Sequence, residues 1–220
     1  KNNIHARIDR KRKFPVTTLL KCLFSSASEE YLKDCINKKI EPDSRKVQGM
    51  SREEILNFFY DSIEYKRNKF GWQFKTDLSF YKAKILNYDF VDSNSGKVIF
   101  TKGSKLNQRI INDFLKKKIN NLTIEENSLI GHYLSSDIID ESTGKIFYEA
   151  GFEIDEDFVN FINERKINKL DLLKVDNIEI GSCIRSTMQL DKARSREEAL
   201  FEIFKILRPG EPPTIETAET

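Results

Sequence analysis

Two short apolar runs separated by a glycine turn, and then a helical pattern, occur twice in the middle of the sequence. In the first occurrence, Ile85 to Val91 and Val98 to Phe100 flank a turn that ends in Gly96. Short apolar runs bounded by Asp, Ser, Asn and Gly are typical of a β-hairpin. After Gly103, apolar residues recur at the spacing of an amphipathic helix. These residues are Leu106, Ile110, Ile111, Phe114 and Leu115.

The second occurrence lies 48 positions further along, where residues 131–172 align with 83–124 without a gap and with eleven identities in forty-two positions. It predicts strands at Tyr133 to Ile139 and Ile146 to Tyr148, and each copy ends in a further apolar run. We therefore predict strand, strand, helix, strand in each copy. Two copies are too few for a solenoid, so a duplicated small domain is favoured. The predicted helical positions of the second copy are Ile154, Phe158, Val159 and Ile162.

Two further helices begin with matching capping signals outside the repeat. Ser51 with Glu54, and Ser195 with Glu198, have the spacing of a capping box. The polar segment from Ser25 to Gly49 is predicted to be an excursion or partly mobile loop. The whole pattern predicts an α+β fold, with a mixed helical and strand part and an inserted domain made of the two repeats.

Composition and charge exclude several classes of protein. The 220 residues carry 37 basic and 35 acidic side chains, a net charge of +2, so a histone-like polycation is excluded and any nucleic-acid contact must be local. With 39% hydrophobic residues the chain can bury a core, as one large domain or two small ones. Apolar runs are too short for a membrane span. Since the first residue is Lys and the last residues are polar, we expect a piece of a longer protein.

Cysteines and histidines offer no metal or disulfide framework. Cys22, Cys35 and Cys183 are far apart and form no CxxC pair, and only His5 and His132 could assist them. A reducing cytoplasm is therefore the default location. We expect both histidines to be surface or hydrogen-bonded side chains.

The two repeat copies differ in charge. The first copy carries eight basic and three acidic residues, the second four basic and ten acidic. Part of this difference places Asp155 to Asp157 at a helix start and Lys116 to Lys118 at a helix end, which favours the helix dipole. A solvated helix surface explains such charges, and a partner-docking surface is the alternative.

The densest basic segment is RIDRKRKFP at residues 7–15, with five basic side chains and one acidic one in seven positions. Arg binds phosphate through a planar fork and Lys supplies a point charge, so the segment is suited to nucleic acid. Asp9 could orient an arginine or accept a hydrogen bond from a base edge. A solvated basic turn is the alternative interpretation.

No catalytic motif is present. The sequence has no Walker loop, no HExxH and no GxSxG, and the acidic run near Asp155 lacks EF-hand spacing. Trp72 and the phenylalanine-rich helix faces are predicted to lie in the core rather than to stack on bases.

Both ends of the chain resemble one family. RIDRKRKFPVTTLL at 7–20, IRSTMQLD at 184–191 and SREEALFEIFKILRPGEPPTIETAE at 195–219 closely resemble the lobe region of the beta subunit of bacterial RNA polymerase. The string RPGEPPT at 208–214 is long and unusual, which makes the resemblance specific. It implies that 1–59 and 181–220 are part of the lobe. The stretch 60–180 resembles the lineage-specific insertion of proteobacterial enzymes.

The resemblance implies a scaffold role in a nucleotidyltransferase. The lobe would form one wall of the main cleft, near downstream duplex and non-template DNA. No catalytic residue and no cofactor is expected here, because magnesium and its aspartates would belong to the beta-prime subunit. Alpha and sigma are further expected partners. The positions carried over as DNA-binding are Asp9, Arg10, Lys11, Arg12, Lys13 and Arg208.

For the insertion we expect an accessory domain that serves as a docking site for transcription regulators, because its copies have opposite charge. A free-standing nucleic-acid or protein adaptor built on the tandem repeat is the alternative from another class. A continuous reading frame much longer than this sequence would favour the polymerase subunit.

Overall fold

The computed structural model describes residues 3–8, 10–43, 46–75, 77–116, 119, 121–175 and 181–219. The chain divides into two compact units. Unit 1 comprises Lys1–Tyr60 and Val175–Thr220, and unit 2 comprises Asp61–Lys174. Within the described ranges there are eight helices and ten strands, and every paired strand is antiparallel to its neighbour. The predicted α+β class is confirmed.

Unit 1 is mostly helical and contains one two-stranded sheet, in which β1 (His5–Arg7) pairs with β2 (Lys13–Pro15). Helix α1 follows β2 directly and packs against α7 and α6. The two segments of the chain that form unit 1 are therefore interleaved, since α1 of the first segment contacts α6 and α7 of the second. The helices of this unit are α1 (Val16–Cys22), α2 (Ser26–Lys38), α3 (Arg52–Phe59), α6 (Cys183–Leu190), α7 (Arg196–Leu207) and α8 (Ile215–Glu219).

The two predicted capping boxes differ. At α3 the box is complete, because the Ser51 hydroxyl accepts from the Glu54 backbone N–H at 3.1 Å and the Glu54 carboxylate accepts from the Ser51 N–H at 2.9 Å. At α7, Ser195 accepts from the Glu198 N–H at 3.2 Å, but Glu198 Oε2 accepts from the Arg194 N–H instead. The second box is therefore only half formed, since the Glu198 carboxylate accepts from the residue before the N-cap and not from the N-cap itself.

The prediction of a loop from Ser25 to Gly49 was wrong for its first half. Residues 26–38 form α2, whose N-cap is Ser25, and the Ser26 N–H donates to Glu54 Oε1 at 3.0 Å. One carboxylate thus caps two helices. The end of the segment returns to its start, where Gly49 bridges Phe24. A Cβ atom at Gly49 would lie 1.9 Å from the Lys21 carbonyl oxygen, so this close backbone approach requires glycine.

Unit 2 is built on a six-stranded antiparallel sheet with the order β10-β3-β4-β7-β5-β6. A separate hairpin is formed by β8 and β9. The ends of the unit meet, because the Lys174 N–H donates to the Asp61 carbonyl at 2.7 Å. The elements of unit 2 are β3 (Ser62–Asn68), β4 (Gly71–Lys75), β5 (Phe90–Asp92), β6 (Val98–Phe100), α4 (Gln108–Leu115), β7 (Asn121–Ile124), β8 (Ile138–Ile139), β9 (Ile146–Tyr148), α5 (Glu156–Glu164) and β10 (Lys169–Leu173).

The tandem repeat is visible in the hydrogen bonds as well as in the sequence. In each copy the turn glycine donates to the first aspartate of the turn, Gly96 to Asp92 at 2.9 Å and Gly144 to Asp140 at 2.7 Å. Six pairs of equivalent positions are buried in the same core. A common origin of the two copies explains why the turn hydrogen bond and the buried positions both recur 48 residues apart. The pairs are Leu86 with Leu134, Leu106 with Ile154, Ile111 with Val159, Phe114 with Ile162, Leu122 with Leu170 and Ile124 with Leu172.

The first strand of each copy is shorter than predicted. Only Phe90–Asp92 of the first copy and Ile138–Ile139 of the second are strands. The preceding residues form single bridges, as between Ile85 and Lys105. The second strands have the predicted bounds in both copies. In the first copy β5 and β6 join the large sheet, whereas β8 and β9 of the second copy form their own hairpin.

Trp72 lies in the core of unit 2 with no exposed surface, as predicted. His132 is a hydrogen-bonded side chain, with Nε2 3.2 Å from the Tyr88 hydroxyl and Nδ1 3.1 Å from the Leu129 carbonyl oxygen. Burial lowers the pKa of His132. This histidine is therefore neutral at pH 7, and both of its ring nitrogens make structural contacts.

Candidate nucleic-acid interface

The basic segment of the sequence forms a hairpin on unit 1. Residues 5–7 pair with 13–15, and the Ile8 N–H donates to the Arg12 carbonyl across the turn at 3.2 Å. Phe14 anchors the second strand, since only 6% of its surface is exposed. An apolar anchor under a basic turn leaves the charged side chains on the outside.

Three cations of this hairpin are exposed and have no ion pair or hydrogen bond to their side chains from any other described residue. They are Arg7, Arg10 and Lys13. Arg7 and Lys13 are directly opposite each other in the strand register. Like charges at opposite positions destabilise a sheet, so the pair favours an external anion as the compensating partner.

Arg12 points its guanidinium to a helix end instead. Its Nη1 donates to the Ile206 carbonyl at 3.0 Å and to the Leu207 carbonyl at 2.9 Å. These carbonyls lie in the last turn of α7, where helical carbonyls lack backbone partners. Arg12 therefore joins the basic hairpin to the C-terminal end of α7.

Arg208 follows that helix end directly, so the structure brings it next to the residues that Arg12 contacts. Its Nη1 lies 3.6 Å from Glu211 Oε2, and its guanidinium carbon lies 5.7 Å from the Phe204 ring centre. Lys11 is exposed in the turn. Asp9 lies outside the described residues. Of the six predicted site residues, the structure thus groups Arg10 to Lys13 on one hairpin and Arg208 at the helix to which the hairpin is fastened.

A buried carboxylate behind the hairpin was missed by sequence reasoning. Asp191 accepts from the hydroxyls of Thr17 and Thr18 at 2.8 and 3.0 Å, and its Oδ2 lies 2.8 Å from Lys21 Nζ. The Ala193 N–H also donates to it, at 3.1 Å. The network holds the first turn of α1, which directly follows the hairpin, against the chain between α6 and α7. No sequence pattern indicates this network, because Asp191 is far along the chain from Thr17, Thr18 and Lys21.

Other chemistry is sparse in the described part of the chain. Burial raises the pKa of Cys22 to about 11, so its thiol is protonated at neutral pH. In the ranges covered by the structure, no group of three His, Cys, Asp or Glu side chains is placed to hold a metal ion. The expectation that magnesium is held by a partner subunit stays a prediction. None of the described helices has the length and apolar character needed to cross a membrane.

Fold and site together define an α+β chain in which a duplicated, strand-rich unit interrupts a helical unit that carries an exposed basic hairpin. Over its whole length the chain is homologous to a segment of the bacterial DNA-directed RNA polymerase subunit beta. The subunit of Brucella canis is 43% identical over 219 residues, and that of Bartonella quintana is 42% identical over 218 residues. The predicted resemblance to a beta-subunit fragment is confirmed.

The chain spans 14% of the length of these relatives, while 99 to 100% of its own residues are matched. The subunit of Brucella suis is equally similar, at 43% identity. No protein-family model matches the chain. The matches include the duplicated unit as well as both flanking segments, so the interruption of unit 1 by unit 2 falls within the matched region.

Proposed function

We propose that unit 1 is part of the lobe of an RNA polymerase beta subunit and contacts downstream and non-template DNA at the wall of the main cleft. The observation that carries this proposal is the pair of opposed cations, Arg7 and Lys13, with Arg10 beside them in the same hairpin. Phosphate contacts of this kind position DNA without selecting a sequence. A processive enzyme needs such a grip, since it must hold DNA and still slide along it.

In the assembled enzyme the segment would serve a nucleotidyltransferase without supplying a catalytic residue. The names of its relatives support this assignment. Beta-prime would hold magnesium and its aspartates, and alpha and sigma would be further partners. A bacterial cytoplasmic location follows from the same proposal. Whole-length similarity to much longer polymerase subunits favours this function over the free-standing adaptor.

The test uses polymerase assembled with a beta subunit that carries the double change Arg7→Gln and Arg10→Gln. If both side chains contact phosphates, the slope of log affinity for promoter DNA against log salt should decrease in magnitude by about 2. The control is Lys33→Gln with Lys38→Gln on α2, which removes the same charge from side chains that are 74% and 63% exposed. If both double variants change the salt dependence equally, the hairpin makes no local DNA contact, and the effect comes from the overall charge of the protein.

We further propose that unit 2 is an accessory domain that docks transcription regulators. The opposite charges of its two copies, +5 and −6, support this proposal because they offer two complementary surfaces on one domain. Its termini are adjacent at Asp61 and Lys174. Residues 62–173 can therefore be replaced by a short glycine-serine linker in the full subunit.

Removal of unit 2 should leave factor-independent transcription largely intact and change the response to at least one regulator. A shortened subunit that no longer assembles would instead show that unit 2 is needed structurally. Neutralisation of the second copy at Glu141, Glu149 and Glu153 is the matched point-variant test, because these side chains are exposed acids of that copy.

A further inference from the structure

Arg12 occupies a position where a phosphate contact is unfavourable. Its Nη1 donates both of its hydrogen bonds to carbonyls at the end of α7, at 3.0 and 2.9 Å. The C-terminal end of a helix carries partial negative charge, which attracts a cation and repels a phosphate group. The Arg12 side chain therefore stabilises the end of α7, whereas Arg7, Arg10 and Lys13 have no side-chain hydrogen bond or ion pair with any other described residue.

The contact also connects two parts of the chain that are 194 residues apart. On one side is the turn of the hairpin, closed by the hydrogen bond from Ile8 to the Arg12 carbonyl. On the other side is the last residue of α7, after which Arg208 begins the C-terminal segment. The link needs a cation with two N–H donors, and in Arg12 both donors belong to one nitrogen, Nη1.

We propose that Arg12 is a positioning residue, which fastens the basic hairpin to the end of α7 so that Arg10 and Arg208 contact one DNA backbone together. The inference rests on the proposed DNA-binding function of the hairpin. It assigns Arg12 a different role from its neighbours. Replacement of Arg12 weakens DNA binding because Arg208 is displaced, and not because Arg12 itself loses a contact with a phosphate.

A double-mutant cycle in the assembled polymerase tests this assignment. Arg12→Met and Arg208→Met should each shorten the lifetime of promoter complexes, by roughly tenfold for Arg12→Met. The double variant should lose no more than the larger single loss, because both changes remove the same DNA contact. The control cycle, Arg10→Met with Arg208→Met, should be additive. Additive losses for Arg12 and Arg208 would overturn the inference and leave the proposed function intact.

Amide hydrogen exchange on the same polymerase gives a readout that does not depend on DNA. Arg12→Met should speed exchange both in the hairpin turn near Ile8 and at the end of α7, whereas Arg10→Met should leave both unchanged. Arg12→Lys, which keeps N–H donors, should restore much of the protection. Unchanged exchange in Arg12→Met overturns the inference. If Arg12→Met speeds exchange as expected but Arg10→Met leaves the lifetime of promoter complexes unchanged, the result would count against the proposed function instead.

Discussion

Lys21 and Asp191 form an ion pair inside unit 1, with Nζ and Oδ2 2.8 Å apart and only 5% and 1% of their side chains exposed. Lys21 Nζ also donates to the Ala193 carbonyl. The carboxylate receives hydrogen bonds from Thr17 and Thr18 as well. A buried charge is tolerated when its hydrogen-bonding capacity is filled, and this carboxylate meets that condition.

Removal of one partner should therefore destabilise unit 1 strongly. We expect Lys21→Met to lower the free energy of unfolding by about 3 to 5 kcal/mol, because it leaves Asp191 buried without its counter-charge. Urea unfolding followed by circular dichroism measures this, since unit 1 holds most of the helices. The matched control is Lys38→Met, which breaks an ion pair with Asp34 of the same 2.8 Å length between side chains that are each 63% exposed. Similar losses in both variants would contradict the importance of burial.

Gly49 gives a second test of unit 1, since the segment that contains α2 returns there to pair with Phe24. A methyl group there would collide with the Lys21 carbonyl oxygen, at 1.9 Å from the new Cβ atom. Gly49→Ala should cost about 1 to 3 kcal/mol, as overpacking of a close backbone contact generally does. Thermal unfolding of the chain measures the loss. The control is Gln48→Ala at the neighbouring exposed position, where the hydrogen bonds to Ser25 and Ser28 use only the backbone of Gln48.

His132 predicts a pH dependence for unit 2. Its pKa in the folded state is below the ordinary value of 6.5 because of burial, so the unfolded state takes up the proton more readily. Its contribution to stability is complete above that value and is lost progressively as the pH falls from there through the folded-state pKa. The groups that face it are Tyr88, at 3.2 Å, and Tyr65, whose ring centre lies 6.5 Å away.

The measurement is unfolding monitored by the fluorescence of Trp72, which is the single tryptophan of the chain and lies in unit 2. Stability should fall as the pH is lowered below about 6.5, the ordinary pKa of histidine, and His132→Gln should remove part of that fall. His5→Gln is the control, since His5 is exposed in β1. A pH slope that His132→Gln leaves unchanged would assign the dependence to other groups.

Much of unit 2 could be predicted from the sequence because its signals are local. The strands at 98–100 and 146–148 are short apolar runs that follow a turn glycine, so both were predicted with correct bounds. The strands before the turns were predicted too long, because single bridges such as that at Ile85 interrupt an apolar run without changing its pattern. Helix α2 was missed because its composition is polar, although Ser28, Tyr31, Leu32 and Cys35 have helical spacing.

The candidate site was predictable only in part. The density of charge at 7–13 identified the hairpin, but the role of each cation depends on its surroundings in the fold. Arg7 and Lys13 become opposed only through strand register, and Arg12 finds its partners almost 200 residues away. The packing of α1 on α7, rather than any pattern within 7–15, brings the turn to Ile206 and Leu207.

Arg67 provides the last test, in unit 2, where its guanidinium lies over Trp72 at 5.1 Å from the ring centre. The same group donates to Glu126 and Asn163, and so joins β3 to a 3₁₀ turn and to α5. Arg67→Met removes the stacking cation and both hydrogen bonds. We expect a loss of about 1 to 3 kcal/mol together with a change in Trp72 fluorescence in the folded state.

The matched control is Lys66→Met in the same strand, where the lysine pairs with Glu64 and 63% of its side chain is exposed. It should change stability little and leave the tryptophan spectrum as it is. Since Glu126 and Asn163 also contact each other at 3.1 Å, they retain one partner when Arg67 is replaced. The loss should therefore come mainly from the arginine's own contacts, and Glu126→Gln in the Arg67→Met background should add little. A large additional loss in that double variant would show that Glu126 stabilises unit 2 independently of Arg67.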